Sequence, residues 1–188
     1  MIISEPIYDG SLIHSRFAYK YFRKNVSPIG DIVAFVAPMF VTTNLIDLED
    51  SLEKDYIMSD KAINFCWEIP NLDPFGAVAF QRLFNTNIAN ILYKHINKPI
   101  MVKGDDIMVT EDESGAKIGK ASVSITYSKE GVAVGHTGIN ITAGSKAPNF
   151  AYSTNMDDDT SNKFIQDVIN VFYDITKDIF VATTKVIV

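Results

Sequence analysis

Apolar side chains recur along this chain with two periods, and the change from one to the other marks out its elements. Between Pro74 and Ile96, Phe84, Ile88, Ile91, Leu92 and Ile96 follow helical spacing, with Pro99 just beyond the end. A closing helix is predicted where Phe164, Val168, Phe172, Ile175, Ile179 and Ala182 form one face. The acids Asp157, Asp158 and Asp159 sit at its start, where the helix dipole favours negative charge, so they read as a helix N-terminus in preference to a metal site. Residues 11 to 24, "SLIHSRFAYKYFRK", read as a short amphipathic helix with Ile13, Phe17 and Tyr21 on one stripe.

Elsewhere the period is that of strands. "DIVAFVA" (31 to 37) ends at Pro38 and "KAINFCWEI" (61 to 69) stops at Pro70, while the acids Asp47, Glu49 and Asp50 interrupt any apolar pattern between them. "IMV", "DIMVT", "KASVSITY" and "VAVGHTGINI" follow, separated by "KGD", "EDESGAKIG" and "SKEG", and predict an antiparallel meander. The expected class is α+β, a mostly antiparallel central sheet with flanking helices, in one domain over residues 1–188.

Within the meander, Ala121, Val123 and Ile125 alternate with Lys120, Ser122, Ser124 and Thr126, so one face is core and the other polar. A two-residue "SKEG" hairpin pairs 128 with 131, setting Ser122 opposite Thr137, Ser124 opposite Gly135 and His136 opposite Val123. That register gives a shallow polar floor on which a ligand could lie, Gly135 and Gly138 allowing close approach; a bulge or bend explains the glycines equally well. His136 would face the core as a hydrogen-bonded structural residue. A turn centred on Glu113 and Ser114 puts Asp105 on the Lys120 side, and a one-residue slip puts Asp106 there instead. Either carboxylate could orient Lys120 or hold Mg²⁺, with a surface salt bridge as the plainer alternative. His14, on an exposed helical face, and His95, at a helix C-terminus, suggest no chemistry.

Charge narrows the partners. A net charge of -6 and a pI near 5.0 disfavour nucleic acid and anionic membrane, which need excess Lys and Arg. The single cysteine, Cys66, cannot form an internal disulfide, and no apolar run is long enough to span a bilayer, so a cytoplasmic protein is expected. Ser-His-Asp order, a Walker loop and a dinucleotide fingerprint are missing.

Taken in order, "YDG", "GDIVAF", "IDLED", "QRL", "KGDDI", "KASVSI" and "HTGIN" resemble a prokaryotic family, domain-of-unknown-function family 366, over nearly the whole chain. That resemblance implies the fold of biotin and lipoate protein ligases, shared with the class II aminoacyl-tRNA synthetase catalytic core. It assigns Lys120 to the lysine that contacts the acyl carboxylate and the activating phosphate, with ATP and Mg²⁺ as implied cofactors. Arg82 of "QRL" is the candidate second cation, with a plain helix-surface role as the alternative. Lys120 is followed by Ala-Ser-Val where the ligases place a glycine, and no glycine-arginine loop precedes residue 60. Three readings stand: a ligase-like or acyl-transfer enzyme acting on a carboxylate-bearing small molecule, a non-catalytic metabolite-binding module, and an interaction protein whose sheet edge pairs in a homodimer. For the first two the expected site is Lys120, Asp105 and Asp106, with Ser122, Ser124, Gly135, His136, Thr137 and Arg82 around the ligand.

Overall fold

A computed structural model describes residues 1–14, 16–53, 55–110, 118–185 and 187. Two antiparallel sheets carry the fold. The larger has the order β1-β2-β7-β6, built from β1 (Asp31–Val41), β2 (Ile57–Pro70), β7 (Val132–Thr142) and β6 (Ser122–Lys129). The smaller joins β3 (Ile100–Lys103), β4 (Asp106–Thr110) and β5 (Ile118–Lys120). The expected single meander is thus divided, and "KASVSITY" is cut at Ala121. The cut follows from the backbone of that residue: its N–H donates to Ile107 O of the small sheet, and its carbonyl accepts from Asn140 N of the large one.

Long helices cover one face of the large sheet. α3 (Pro74–Ile96) starts where the Asp73 carboxylate accepts from Gly76 N and ends with Asn97 left-handed. α4 (Asp158–Thr183) starts where Asp157 accepts from Thr160 N, so the acidic run is a helix start as the sequence predicts. Phe65, Trp67, Phe80, Phe84, Phe164 and Phe172 are all buried between sheet and helices, each stabilising the fold by about 1.5–3 kcal/mol. The apolar stripe of α4 does not stay buried to its end, because Ile179 and Ala182 lie past the sheet and are exposed.

The opposite face is covered by the N-terminal region. Residues 11–24 do not form one helix; a 3-10 turn (Ser11–His14) and α1 (Phe17–Phe22) lay Leu12, Ile13 and Phe17 against Val33, Phe35 and Cys66. Ile2 and Tyr8 bridge to Ala34 and Met39 along the edge of β1, so that edge is shielded from pairing with another chain. β1 runs past Pro38 to Val41, with a register shift between Ala37 and Met39. An edge strand tolerates this, because proline disrupts only a bond the sheet does not need there. The acidic segment folds into α2 (Leu48–Glu53), and β2 begins earlier than "KAINFCWEI" suggests, at Ile57.

The β6–β7 hairpin turns at Glu130 and Gly131, both with positive φ, so Lys129 pairs with Val132. Each expected partner therefore moves by two residues: Ser122 lies opposite Ile139, Ser124 opposite Thr137 and His136 opposite Ile125. A two-residue shift keeps every side chain on its expected face. The turn proposed at Glu113 and Ser114 lies outside the described residues, but its outcome is visible, because Met108 pairs with Lys120. That is the slipped register, and it brings Asp106 to the Lys120 side.

Candidate functional site

A cavity of about 620 Å³ opens on the sheet face away from α3 and α4. Val123, Ile125, His136 and Asn140 of β6 and β7 line it, together with Tyr8, residues of the β1–β2 connection, and Phe150 and Ala151 after β7. "YDG" supports the cavity from the N-terminal side. Tyr8 stacks on His136 with ring centroids 3.7 Å apart, and Asp9 accepts from the Ser11 N–H and hydroxyl. Gly10, with φ +84°, lies so close to Asn44 that a Cβ would sit 3.0 Å from it. A side chain there would be strained by the backbone and by its neighbour together.

Lys120 stands where the two sheets meet. Its N–H donates to Phe150 O at 2.7 Å and its carbonyl accepts from Tyr152 N at 2.8 Å, which fixes the backbone on both sides. The ammonium bonds Asp106 Oδ1 at 2.7 Å, with the two side chains 30% and 32% exposed. Asp105 turns instead to Arg82, 3.5 Å away, and Arg82 also bonds the neighbouring Gln81. One third exposed, the Lys120–Asp106 pair is worth at most about 1 kcal/mol to the fold. Asp106→Asn is accordingly expected to change the urea unfolding free energy by no more than about 1 kcal/mol, and a larger loss would show that the pair's role is structural.

Of the residues predicted from sequence, Lys120, Asp105, Asp106, Ser122, Ser124 and His136 line the cavity, while Gly135, Thr137 and Arg82 do not. The polar floor is engaged by α3. Ser124 Oγ accepts from Gln81 Nε2 at 2.8 Å and lies 3.1 Å from Thr137 Oγ1. Thr137 in turn donates to Asn85 Oδ1, and Asn85 Nδ2 donates to Asp105 O. Ser122 Oγ accepts from Ile107 N. These bonds tie α3 to the sheet and hold the "KGDD" turn beside Lys120. Gly135 is required by the Trp67 indole lying against it, and Gly138 by Met39, whose sulfur would be 2.6 Å from a Cβ.

His136 lines the cavity with its ring buried and hydrogen-bonded. Asn64 donates its amide to Ala37 O and Ala62 O, leaving its oxygen to accept from His136 Nε2 at 2.9 Å. Burial pushes the imidazole pKa down to about 3 from an ordinary 6.5. The folded chain therefore resists a proton that the unfolded chain accepts, so this contribution is complete above pH 6.5 and is lost as pH falls towards 3. About 2 kcal/mol should disappear between pH 7 and pH 5, and His136→Gln should flatten that part of the stability profile whatever its starting stability. Buried Glu68 acts with the opposite sign: desolvation raises its carboxyl, so its contribution is present below the ordinary carboxylate range and lost as pH rises through the raised value. His95 pairs with Asp167 at 2.8 Å and His14 lies 3.4 Å from the O of cavity-lining Asn44, but neither histidine lines the cavity itself.

Sequence reasoning missed the acidic wall. Asp47, Asp50 and Asp55, from the β1–β2 connection holding α2, also line the cavity. Asp47 Oδ1 accepts from the Glu49 and Asp50 amides. Burial, with Asp47 and Asp55 nearby, pushes the Asp50 carboxyl up, partly countered by Lys120. "IDLED" is the signal that could have found this wall. Charged lining among the described residues is five aspartates against Lys120, and no group of three or more potential metal ligands is found among them. These residues do not fit ATP with Mg²⁺: a triphosphate would meet repulsion from the carboxylates, with no cluster to hold its metal.

The α+β arrangement is the biotin/lipoate protein ligase fold, as superposition on ligase structures shows. The chain belongs to the family described as Domain of unknown function (DUF366), whose model matches residues 1–187. A protein of unknown function from Pyrococcus horikoshi superposes with a TM-score of 0.83 at 22% identity, covering 100% of this chain and 97% of that one. Biotin protein ligase from Aquifex aeolicus, in complex with biotin and ATP, matches with a TM-score of 0.59 at 13% identity over 94% of this chain and 70% of its own. A putative lipoate protein ligase from T. acidophilum with bound lipoic acid gives 0.56 at 12% identity, over 89% and 82%. No curated protein is similar to the chain at the level of sequence. Among the described residues, no helix is long and apolar enough to cross a membrane.

Proposed function

We propose that this chain is a small-molecule-binding protein on a ligase fold, and that its cavity takes a ligand whose carboxylate meets Lys120. The observation that carries this is the placement of Lys120, fixed through its backbone and held by Asp106 at the rim of a 620 Å³ cavity. That volume suits a small molecule. A lysine ammonium has three N–H groups; Asp106 engages one, and the others can bond a carboxylate. Tyr8, Ile13, Val41, Ile46, Ile57 and Phe150 supply apolar surface for the body of the ligand. The neighbouring ligase structures hold biotin with ATP, and lipoic acid, which supports a small-molecule ligand on this fold.

Ligase-like or acyl-transfer activity is the second reading, favoured by the presence of Lys120 on the strand where the family resemblance places it. The acidic lining opposes a triphosphate, so binding without adenylate formation is the better fit. Pyrophosphate exchange into ATP, measured with a panel of carboxylic acids, separates the two. The expected result is binding by calorimetry with no exchange for any acid. Acid-dependent exchange abolished by Lys120→Ala would establish the enzyme instead.

A further inference from the structure

A second, smaller cavity of about 130 Å³ lies on the same face of the sheet as the first. Strand register settles how the two are arranged. Side chains on one face of the β6–β7 hairpin follow each other in pairs: Ile125 lies opposite His136, Tyr127 opposite Val134 and Lys129 opposite Val132. Ile125 and His136 line the large cavity, whereas the next two pairs line the small one. The cavities therefore lie end to end along the hairpin, and Ile13 lines both.

Ile13 is held firmly at that border. The Tyr127 hydroxyl donates to its carbonyl at 2.5 Å, and the residue is 1% exposed. An isoleucine with open space on two sides forgoes dispersion contacts that a core residue of its size keeps, so packing alone does not account for a partition there. Lys120 stands towards the other end of the large cavity, five residues before Ile125 in the sequence, or about 17 Å of extended chain. We propose that Ile13 closes the far end of the ligand cavity and sets the length of the acid that fits, whose carboxylate meets Lys120 and whose apolar body lies along Val123 and Ile125. This rests on the small-molecule reading of the cavity and deepens it by assigning the residue that selects among acids. Beyond the partition, Tyr127, Val132 and Val134 offer apolar surface, so a longer chain passing a shortened residue 13 would still be buried.

Isothermal titration calorimetry on the full chain tests the proposal with two series of acids, the n-alkanoates from butanoate to dodecanoate and the ω-phenylalkanoates from phenylacetate to 6-phenylhexanoate. In at least one series the parent's affinity should rise with length to a limit and then fall about tenfold within roughly two further methylenes. Ile13→Ala should move that limit outward by about two methylenes, and Ile13→Val, which disturbs the fold less, by about one. Circular dichroism identifies the folded variants. A general loosening of the fold would weaken every acid alike and leave the limit in place. An unchanged limit in the folded variants, or a parent whose affinity keeps rising to the longest acid, overturns the role of Ile13; where binding is still lost in Lys120→Ala, the carboxylate site stands. Absence of binding by every acid would overturn the partition and the small-molecule reading together.

Discussion

Gly135→Ala is expected to lower the unfolding free energy by about 3 kcal/mol, the largest stability loss of any single methyl added to this sheet. Gly135 pairs with Trp67 on β2 and with Thr126 on β6, and the indole of Trp67 occupies the space a Cβ would need. The indole cannot swing away cheaply. It is fully buried and meets Phe80 edge-on at 5.0 Å, and Phe80 packs in turn on Phe84 and Phe172. Relief of the clash must therefore displace the aromatic layer beneath α3 or separate two paired strands. A urea titration reads the loss as a lower midpoint. In a Trp67→Leu background the same methyl should cost at least 1 kcal/mol less, because the atoms it would strike are gone. Equal cost in both backgrounds would move the cause away from the ring.

Lys120→Ala should reduce affinity for a carboxylate-bearing ligand about 100-fold, equivalent to about 2.7 kcal/mol. Two effects act together: the charged hydrogen bonds to the ligand are lost, and Asp106 is left facing the ligand carboxylate without its counterion. The fold should barely register the change, since the ion pair is only two-thirds buried and the backbone bonds of residue 120 to Phe150 and Tyr152 remain. An unfolding free energy within about 1 kcal/mol of the parent, combined with the affinity loss, separates a binding residue from a structural one. Loss of stability equal to the loss of affinity would assign Lys120 to the junction between the sheets.

The long helices were legible because both kinds of signal agree in them: apolar spacing along α3 and α4, and end signals in Pro99 beyond α3 and in the acids Asp157 to Asp159 at the start of α4. That one of the two carboxylates would approach Lys120 was legible from the order of the strands. The orientation of the two carboxylates was not, because the sequence between the two strands allows two registers, and the choice between Asp105 and Asp106 depends on which is taken. Alternation along "KASVSITY" says which face each side chain occupies, but it cannot reveal that Ala121 gives its N–H to one sheet and its carbonyl to another. Asp50 was hidden for a related reason. It belongs to a six-residue helix whose Leu48 and Leu52 are exposed, so no apolar pattern orients it, and although "IDLED" marks the segment as acidic, only the path of the β1–β2 connection carries it to the cavity. The polar face of β6 was read correctly as polar, but Gln81 and Asn85, buried on an otherwise apolar helix face, show that its partner is α3.

Native mass spectrometry of the parent chain and of Lys120→Ala, each incubated with the same small-molecule extract and desalted identically, tests the central claim most directly. The parent is expected to carry an adduct of a few hundred daltons at most, bearing a carboxylate and greatly reduced on the variant. An adduct held equally by both, or a parent chain that stays bare, would contradict it.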